Sequence, residues 1–458
     1  MRLAWHRLKH STFARGAVTI GGGAFLAQAI TLGLAPVIAR LYTPEEMGLF
    51  TTYMAVVVIA VLPATLRFEQ TLILPRSNRR AAALLAFLLV LCPVVALVIG
   101  LPMVVWREPI AGWLGAPMLA PWLIAAPVSV ALLGWYQALR FWAVRRAAFR
   151  DIARNTVTRT GGGLGFACAL SVSPTVAAAP GGGLILGQIL GEGLGNIFLA
   201  WRIVRSDRHL VRRLRLSYLL GSARRYLGLA LTLSASQSFA TLYEKLPVLV
   251  IAFLFGPHMA GLYTWAERFA VLPAVLIGNA IGDVYRQRAM EDYHRDGRFD
   301  GLMRRTLAAT TILAAVPFAL GIWLAPTLFE LLFGPAWREA GEFASILMVG
   351  SLVSFIVTPT DKAALICERG RFIFLWHLAR LSGKVAIFAW SYAYAARITT
   401  VLWLLVGLRL VLYGVVAAYS YDLARGRATP SASQGFVVAA QGDGPETRSD
   451  ISMASRNV

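Results

Sequence analysis

The sequence predicts an all-α polytopic membrane protein of about twelve transmembrane helices, in two six-helix lobes related by a parallel internal repeat. Three observations predict it. Apolar runs of roughly 20 residues recur along the chain, each long enough to cross about 30 Å of hydrocarbon as a helix. The connectors between the runs are alternately rich and poor in arginine. A segment of the first half, 37–51, returns in the second half as 250–264.

Composition supports the first observation. Of 458 residues, 57% are hydrophobic and only 15% charged, whereas about a quarter of a soluble domain is charged. The runs do not alternate apolar with polar residues, so a membrane β-barrel is not expected. A net charge of +21 on a soluble chain would suggest nucleic acid. Here the positive charge lies in short connectors, as membrane topology requires, and no nucleic-acid partner is expected. Lysine occurs only at Lys9, Lys245, Lys362 and Lys384; the preference for arginine reads first as genome composition. Cys92, Cys168 and Cys367 are far apart, without metal or redox spacing.

The expected spans of the first half are 16–41, 48–74, 81–105, 118–139, 156–172 and 181–204. The basic stretch before the first resembles the start of a signal peptide, but the run is too long and more spans follow. The second half is expected to hold 227–255, 261–281, 307–332, 343–366, 372–393 and 399–423. Residues 1–214 and 215–425 are the expected lobes, and 426–458, rich in Ser, Gly and Ala, an expected disordered tail. One set of connectors carries Arg76, Arg79 and Arg80, then Arg145 to Arg154, Arg202 to Arg225, Arg286 to Arg305, Arg369 with Arg371, and Arg425 with Arg427. The other carries Glu45 and Glu46, Arg107 with Glu108, and Arg338 with Glu339 and Glu342. The asymmetry places both termini in the cytoplasm, with the protein in a bacterial inner membrane.

The repeat aligns without a gap: Val37, Ile38, Ala39, Leu41, Pro44, Gly48, Leu49 and Thr51 match Val250, Ile251, Ala252, Leu254, Pro257, Gly261, Leu262 and Thr264. Each copy joins two helices on the outer side, and each glycine is placed for close helix packing. Both copies have the same membrane orientation, which predicts lobes related by an axis along the membrane normal and a site between them. Leu332-Phe333-Gly334-Pro335 is a weaker echo.

Charges within spans carry the chemistry, because each costs a few kcal/mol at the centre of an isolated helix. They are Arg67 and Glu69, Glu192, Glu244 and Lys245, Glu267 and Arg268, Lys384 and Arg409, with Asp283 at a span end beside Arg286. Arg67, Lys245 and Arg268 are the candidate cavity cations that bind substrate; Arg offers a planar fork of donors matching phosphate oxygens. Glu69, Glu192, Glu244 and Glu267 are the candidate ion-coupling groups or charge partners. Arg67 and Glu69, two residues apart on a helix, are expected to meet different neighbours. The glycines at 183, 187, 191 and 195, and at 278 and 282, read as helix packing rather than phosphate loops. No catalytic constellation, metal-ligand cluster or cofactor motif stands out, so the chain reads as a non-enzyme without cofactor or metal.

The stretches 39–50, Leu66-Arg67-Phe68-Glu69-Gln70 with Leu74-Pro75, 254–263 and 332–337 together resemble Wzx-type flippases. These are polysaccharide biosynthesis proteins of the multidrug/oligosaccharidyl-lipid/polysaccharide exporter superfamily. The resemblance spans roughly residues 14–425. It implies a substrate of undecaprenyl-diphosphate-linked oligosaccharide, moved from the inner to the outer leaflet by alternating access for cell-surface polysaccharide such as O-antigen or exopolysaccharide. It also implies company with glycosyltransferases and a polysaccharide polymerase. Arginines in the central cavity of such proteins face the diphosphate; Arg67 matches a motif residue, and Lys245 and Arg268 follow by their place in the repeat. The alternative is an ion-coupled multidrug exporter of the same superfamily, which would need a cavity dominated by Glu69, Glu192, Glu244 and Glu267. A membrane-bound polymerase or ligase fits less well, since no outer connector is long.

Overall fold

A computed structural model gives the fold and describes residues 12–177, 179–211, 216–367 and 369–426. No strand occurs among them. The first six membrane helices are α1 (Thr12–Leu41), α2 (Pro44–Thr65), α3 (Asn78–Val105), α4 (Ala126–Arg145), α5 (Phe149–Leu170) and α6 (Gly182–Val211). The stretch Leu216–Pro273 holds two helices, because Gly256 at φ 85° and ψ 170° interrupts it. They are α7 (216–255) and α8, which starts at 257 and runs through a π-helical turn, Ala274–Gly278, into Asn279–Asp296. Then follow α9 (Asp300–Phe333), α10 (Arg338–Val357), α11 (Gly370–Ala393) and α12 (Ile398–Ala424).

Among the described residues, ten stretches are long and apolar enough to cross a membrane. The count of twelve helices differs for two physical reasons. Tyr218–Pro273 is one such stretch but contains two helices. And α5 is too polar to qualify, since Arg150, Asp151, Arg154 and Arg159 lie along it. It packs against α1 and α6, which cover part of its surface.

The repeat is where the halves meet. A Cβ on Gly48 would stand 1.7 Å from the Pro257 carbonyl oxygen, and a Cβ on Gly261 would stand 1.9 Å from that of Pro44. Exchanging the copies turns one contact into the other, which is the signature of a local two-fold axis. Thr51 and Thr264, also equivalent in the repeat, face each other with hydroxyl oxygens 3.5 Å apart. At the same end, Trp337 Nε1 donates to the Ala39 carbonyl at 2.8 Å, and Arg40 reaches the Leu331 carbonyl at 3.4 Å. One apolar core crosses from α1 and α2 into α7, α8 and α10 here, through Ile38, Met47, Ile251, Leu262 and Trp337. This is the end away from the arginine-rich connectors.

The two copies start their second helix by different means. Thr43 and Glu46 form a capping box, with Thr43 N donating to Glu46 Oε2 at 2.9 Å and Pro44 in the first turn. The second copy has Gly256 before Pro257, in a backbone region open almost only to glycine. Gly334 before Pro335 repeats that conformation at φ 106° and ψ 169°.

α7 belongs to both lobes. Its first turns, with Ala223 and Ala230, pack into the core made by Phe68, Leu72, Leu84 and Leu88. Its last turns, with Val248 and Ile251, belong to the core shared with α8 and α10. The lobe boundary expected at 214 and 215 lies outside the described residues, as does the expected tail from 427 onward.

Small residues set the closest helix pair within a lobe. A Cβ on Gly187 would come 2.8 Å from the Gly163 carbonyl, and one on Gly191 2.6 Å from Gly163 Cα, so α5 and α6 pack backbone to backbone. The same reading fails for Gly278, which has open space around its Cα, and Gly282 makes only an ordinary contact with Pro359.

Nothing lies within 4 Å of a Cβ built on Gly256, so its requirement for glycine is conformational alone. Gly256→Ala is expected to cost about 1–3 kcal/mol, read as a lowered unfolding midpoint in detergent. Gly21→Ala, in open space on helical backbone, should leave the midpoint unchanged or raise it.

Candidate functional site

In the N-terminal half, the polar interior starts from a broken helix. α2 ends at Thr65, and Leu66 and Arg67 both take left-handed backbone, at φ 47° and φ 56°, before the short helix Phe68–Thr71. The uninterrupted span expected over 48–74 is therefore corrected. So is the expectation that Arg67 and Glu69 meet different neighbours: Arg67 Nη1 donates to Glu69 Oε1 at 3.3 Å. The rule that residues two apart point away from each other holds on a continuous helix, and this one is not continuous. Arg67 also donates to Gln137 of α4 at 3.3 Å. Glu69 is fully buried, and its Oε2 has no hydrogen-bond donor among the described residues.

A second pair lies one helix over. Glu192 of α6 accepts from Arg159 of α5 and, at 2.9 Å, from Gln188. The Arg159 guanidinium also stands 4.3 Å from the ring centre of Tyr136, the α4 neighbour of Gln137. Glu192 was a candidate from sequence; Arg159 was not, although it lies within the expected span 156–172. The signal that points to it is the buried acid on α6, which needs a cation from a packed neighbour.

The C-terminal half is arranged differently. Lys245 on α7 pairs with its neighbour Glu244 at 2.8 Å, the acid being largely exposed. Arg268 on α8 is exposed, with its guanidinium 6.0 Å from the ring centre of Trp265. Among the described residues it has no carboxylate oxygen within 4.0 Å. Trp265 itself sits in an aromatic cluster with Phe269, Phe333 and Trp337, so Arg268 borders the core that joins the lobes. Glu267 points elsewhere, toward Tyr263 and within electrostatic reach of Lys384.

Around Glu267 three further cations gather. Lys384 of α11 is buried; its ammonium donates to the Tyr243 carbonyl at 3.2 Å and lies 3.6 Å from the centre of the Tyr243 ring. That carbonyl is free because Pro247, four residues on, has no N–H to offer it. Arg380 donates through Nε to the Tyr243 hydroxyl at 3.2 Å and stacks 4.3 Å over the same ring. Arg409 of α12 donates to Ser351 Oγ of α10 at 3.3 Å. Sequence reading passed over Arg380, although its four-residue spacing from Lys384 puts both on one face of α11. The pairing of Asp283 with Arg286, at 2.6 Å, is as expected from their spacing.

Twelve helices in two similarly oriented halves, with ion pairs and unpaired cations held at membrane depth, define a membrane transporter. More narrowly, the chain belongs to the family of polysaccharide biosynthesis proteins, whose profile matches residues 37–342. It is 25% identical over 432 residues to the succinoglycan biosynthesis transport protein ExoT of Rhizobium meliloti (strain 1021), covering 89% of this chain and 80% of that one. Among solved structures its fold is similar to the lipid II flippase MurJ in an inward closed conformation, with a TM-score of 0.67, 11% identity and 94% of each chain covered. It is also similar to a MATE family multidrug resistance transporter of the MOP superfamily in an inward-facing conformation, with a TM-score of 0.60 and 14% identity over 88% of this chain and 96% of that one. At those identities the solved structures speak for the fold alone.

The Arg159–Glu192 pair supplies a stability test. Arg159→Leu strands a buried carboxylate and should cost about 3–5 kcal/mol. Adding Glu192→Leu should recover most of that loss, as measured by thermal or chemical unfolding in detergent.

Proposed function

We propose that this protein is a flippase that carries an undecaprenyl-diphosphate-linked oligosaccharide from the inner to the outer leaflet of a bacterial inner membrane, for cell-surface or exopolysaccharide synthesis. One observation carries the reading: the cations and acids of the interior are unequally engaged. Glu69, Glu192 and Glu244 each already face a basic partner, and Glu267 is hydrogen-bonded to Tyr263 within electrostatic reach of Lys384. Arg268, Arg380, Lys384 and Arg409 have no carboxylate within 4.0 Å among the described residues. An interior of that kind favours an anionic headgroup and disfavours a cationic drug, whose exporter would need acids free to receive it.

In this reading Arg67, Lys245 and Arg268 contact the diphosphate, Arg268 directly and Arg67 and Lys245 by exchanging Glu69 and Glu244 for it. Guanidinium groups suit it because two parallel N–H donors match two phosphate oxygens. The lobes close on the side of the paired glycines while the headgroup enters from the arginine-rich side, and transport exchanges which side is closed. Both termini are cytoplasmic, following the arginine asymmetry. Glycosyltransferases would supply the lipid-linked sugar and a polymerase would consume it.

Leaflet exchange of a polyprenyl-diphosphate oligosaccharide in liposomes, with a cationic dye as control, tests the function. Exchange of the glycolipid without the dye is expected. Arg268→Ala should slow it about tenfold or more, the expected consequence of removing a cation that the headgroup phosphates pair with. Dye movement without glycolipid exchange would instead place the protein among multidrug exporters.

A further inference from the structure

The cations inside the C-terminal half enclose a space too small for the proposed substrate. Tyr243 of α7, Tyr263 of α8, Arg380 and Lys384 of α11, and Arg409 and Tyr413 of α12 line a cavity of about 20 Å³. A space of roughly 10–15 Å³ is the minimum for one water. As these side chains stand, the space between them fits one water-sized particle.

Its walls favour an anion. Arg380, Lys384 and Arg409 all border it, and none has a carboxylate oxygen within 4.0 Å among the described residues. Each is held instead by a neutral acceptor: the Tyr243 hydroxyl, the Tyr243 carbonyl and the Ser351 hydroxyl. Those bonds fix the side chains but do not cancel their charge. Glu267 and Glu244 act on Lys384 from nearby, yet Glu244 is exposed and paired with Lys245. Asp361 also acts on Arg380 but is paired with Lys362, so five basic groups stand against three acids, at a depth where an uncompensated charge is costly. An arginine has five N–H donors, so Arg380 and Arg409 keep donors free for a further acceptor. The Tyr243 hydroxyl, which accepts from Arg380, can donate its own proton as well.

We propose that this cavity is a binding site for a single monatomic anion of the chloride class, separate from the contacts assigned to the diphosphate. The anion completes the charge balance of α11 and α12 and ties them to α7. Tyr243 is central to that tie, since its ring and both its oxygens receive the two cations of α11.

The test uses the full chain purified in detergent. Its thermal unfolding midpoint is followed as sodium gluconate is replaced by sodium chloride or sodium bromide at constant ionic strength. A saturable rise of a few degrees is expected with either halide and none with gluconate. Arg409→Gln, which keeps a donor for Ser351 but removes the charge, should abolish the rise, and Lys384→Met should do the same. Bromide located by anomalous scattering in crystals would place the ion directly. Arg67→Ala lies in the other half and should keep the halide response, so the result is independent of whether the flippase reading stands. An equal midpoint in gluconate and halide would overturn the proposal. So would a halide response that persists in Arg409→Gln, which is the variant to rely on if Lys384→Met fails to fold.

Discussion

The approach of Gly48 to Gly261 sets the geometry of the whole molecule. Each backbone sits where the other's side chain would be, so the lobes can be this close only because both positions lack one. In lipid there is no hydrophobic drive between helices, and close van der Waals packing has to do that work. The facing threonines, the Trp337 bond to the Ala39 carbonyl and the core running through Met47, Ile251 and Leu262 all lie at the same end. A larger residue at either glycine would separate them together.

The two halves share an ancestry of helices but handle buried charge in opposite ways. In the first half each buried acid is met by an arginine, Glu69 by Arg67 and Glu192 by Arg159. In the second half the cations lean on aromatic faces, hydroxyls and a carbonyl. Direct pairing leaves little residual field. Neutral acceptors position a cation and leave its field intact, which is the arrangement suited to receiving something negatively charged.

The helices, their number and the repeat were legible in the sequence because apolar run length and the arginine pattern respond directly to the bilayer. The repeat even marked the residues at the lobe contact. What escaped was local. The break at Leu66 and Arg67 has no glycine to announce it, so a continuous helix was the natural expectation and the Arg67–Glu69 contact was ruled out on helical spacing. Arg159 lies near the start of the expected span 156–172, and its pairing with Glu192 is set by the packing of α5 on α6. Arg380 lies inside the expected span 372–393 and was not singled out there. Of the candidates, Arg67 with Glu69 and Glu267 with Lys384 fall into clusters, while Lys245 meets only its own neighbour in the chain. Pair geometry across helices is set by packing, which no single helix records.

Helix α7 begins in one body and ends in the other, fastened near Ala230 to the N-terminal core and near Val248 to the C-terminal core. A rod clamped at both ends to two masses cannot remain rigid if those masses rotate against each other. The strain must collect in the stretch between the clamps, and that stretch ends at Pro247, where the helical ladder lacks a rung. The missing rung is replaced by a side chain from α11, a crosspiece that is not covalently bound and can be withdrawn. α7 would then work as a flexure, and whatever governs the grip of Lys384 on Tyr243 would set its stiffness.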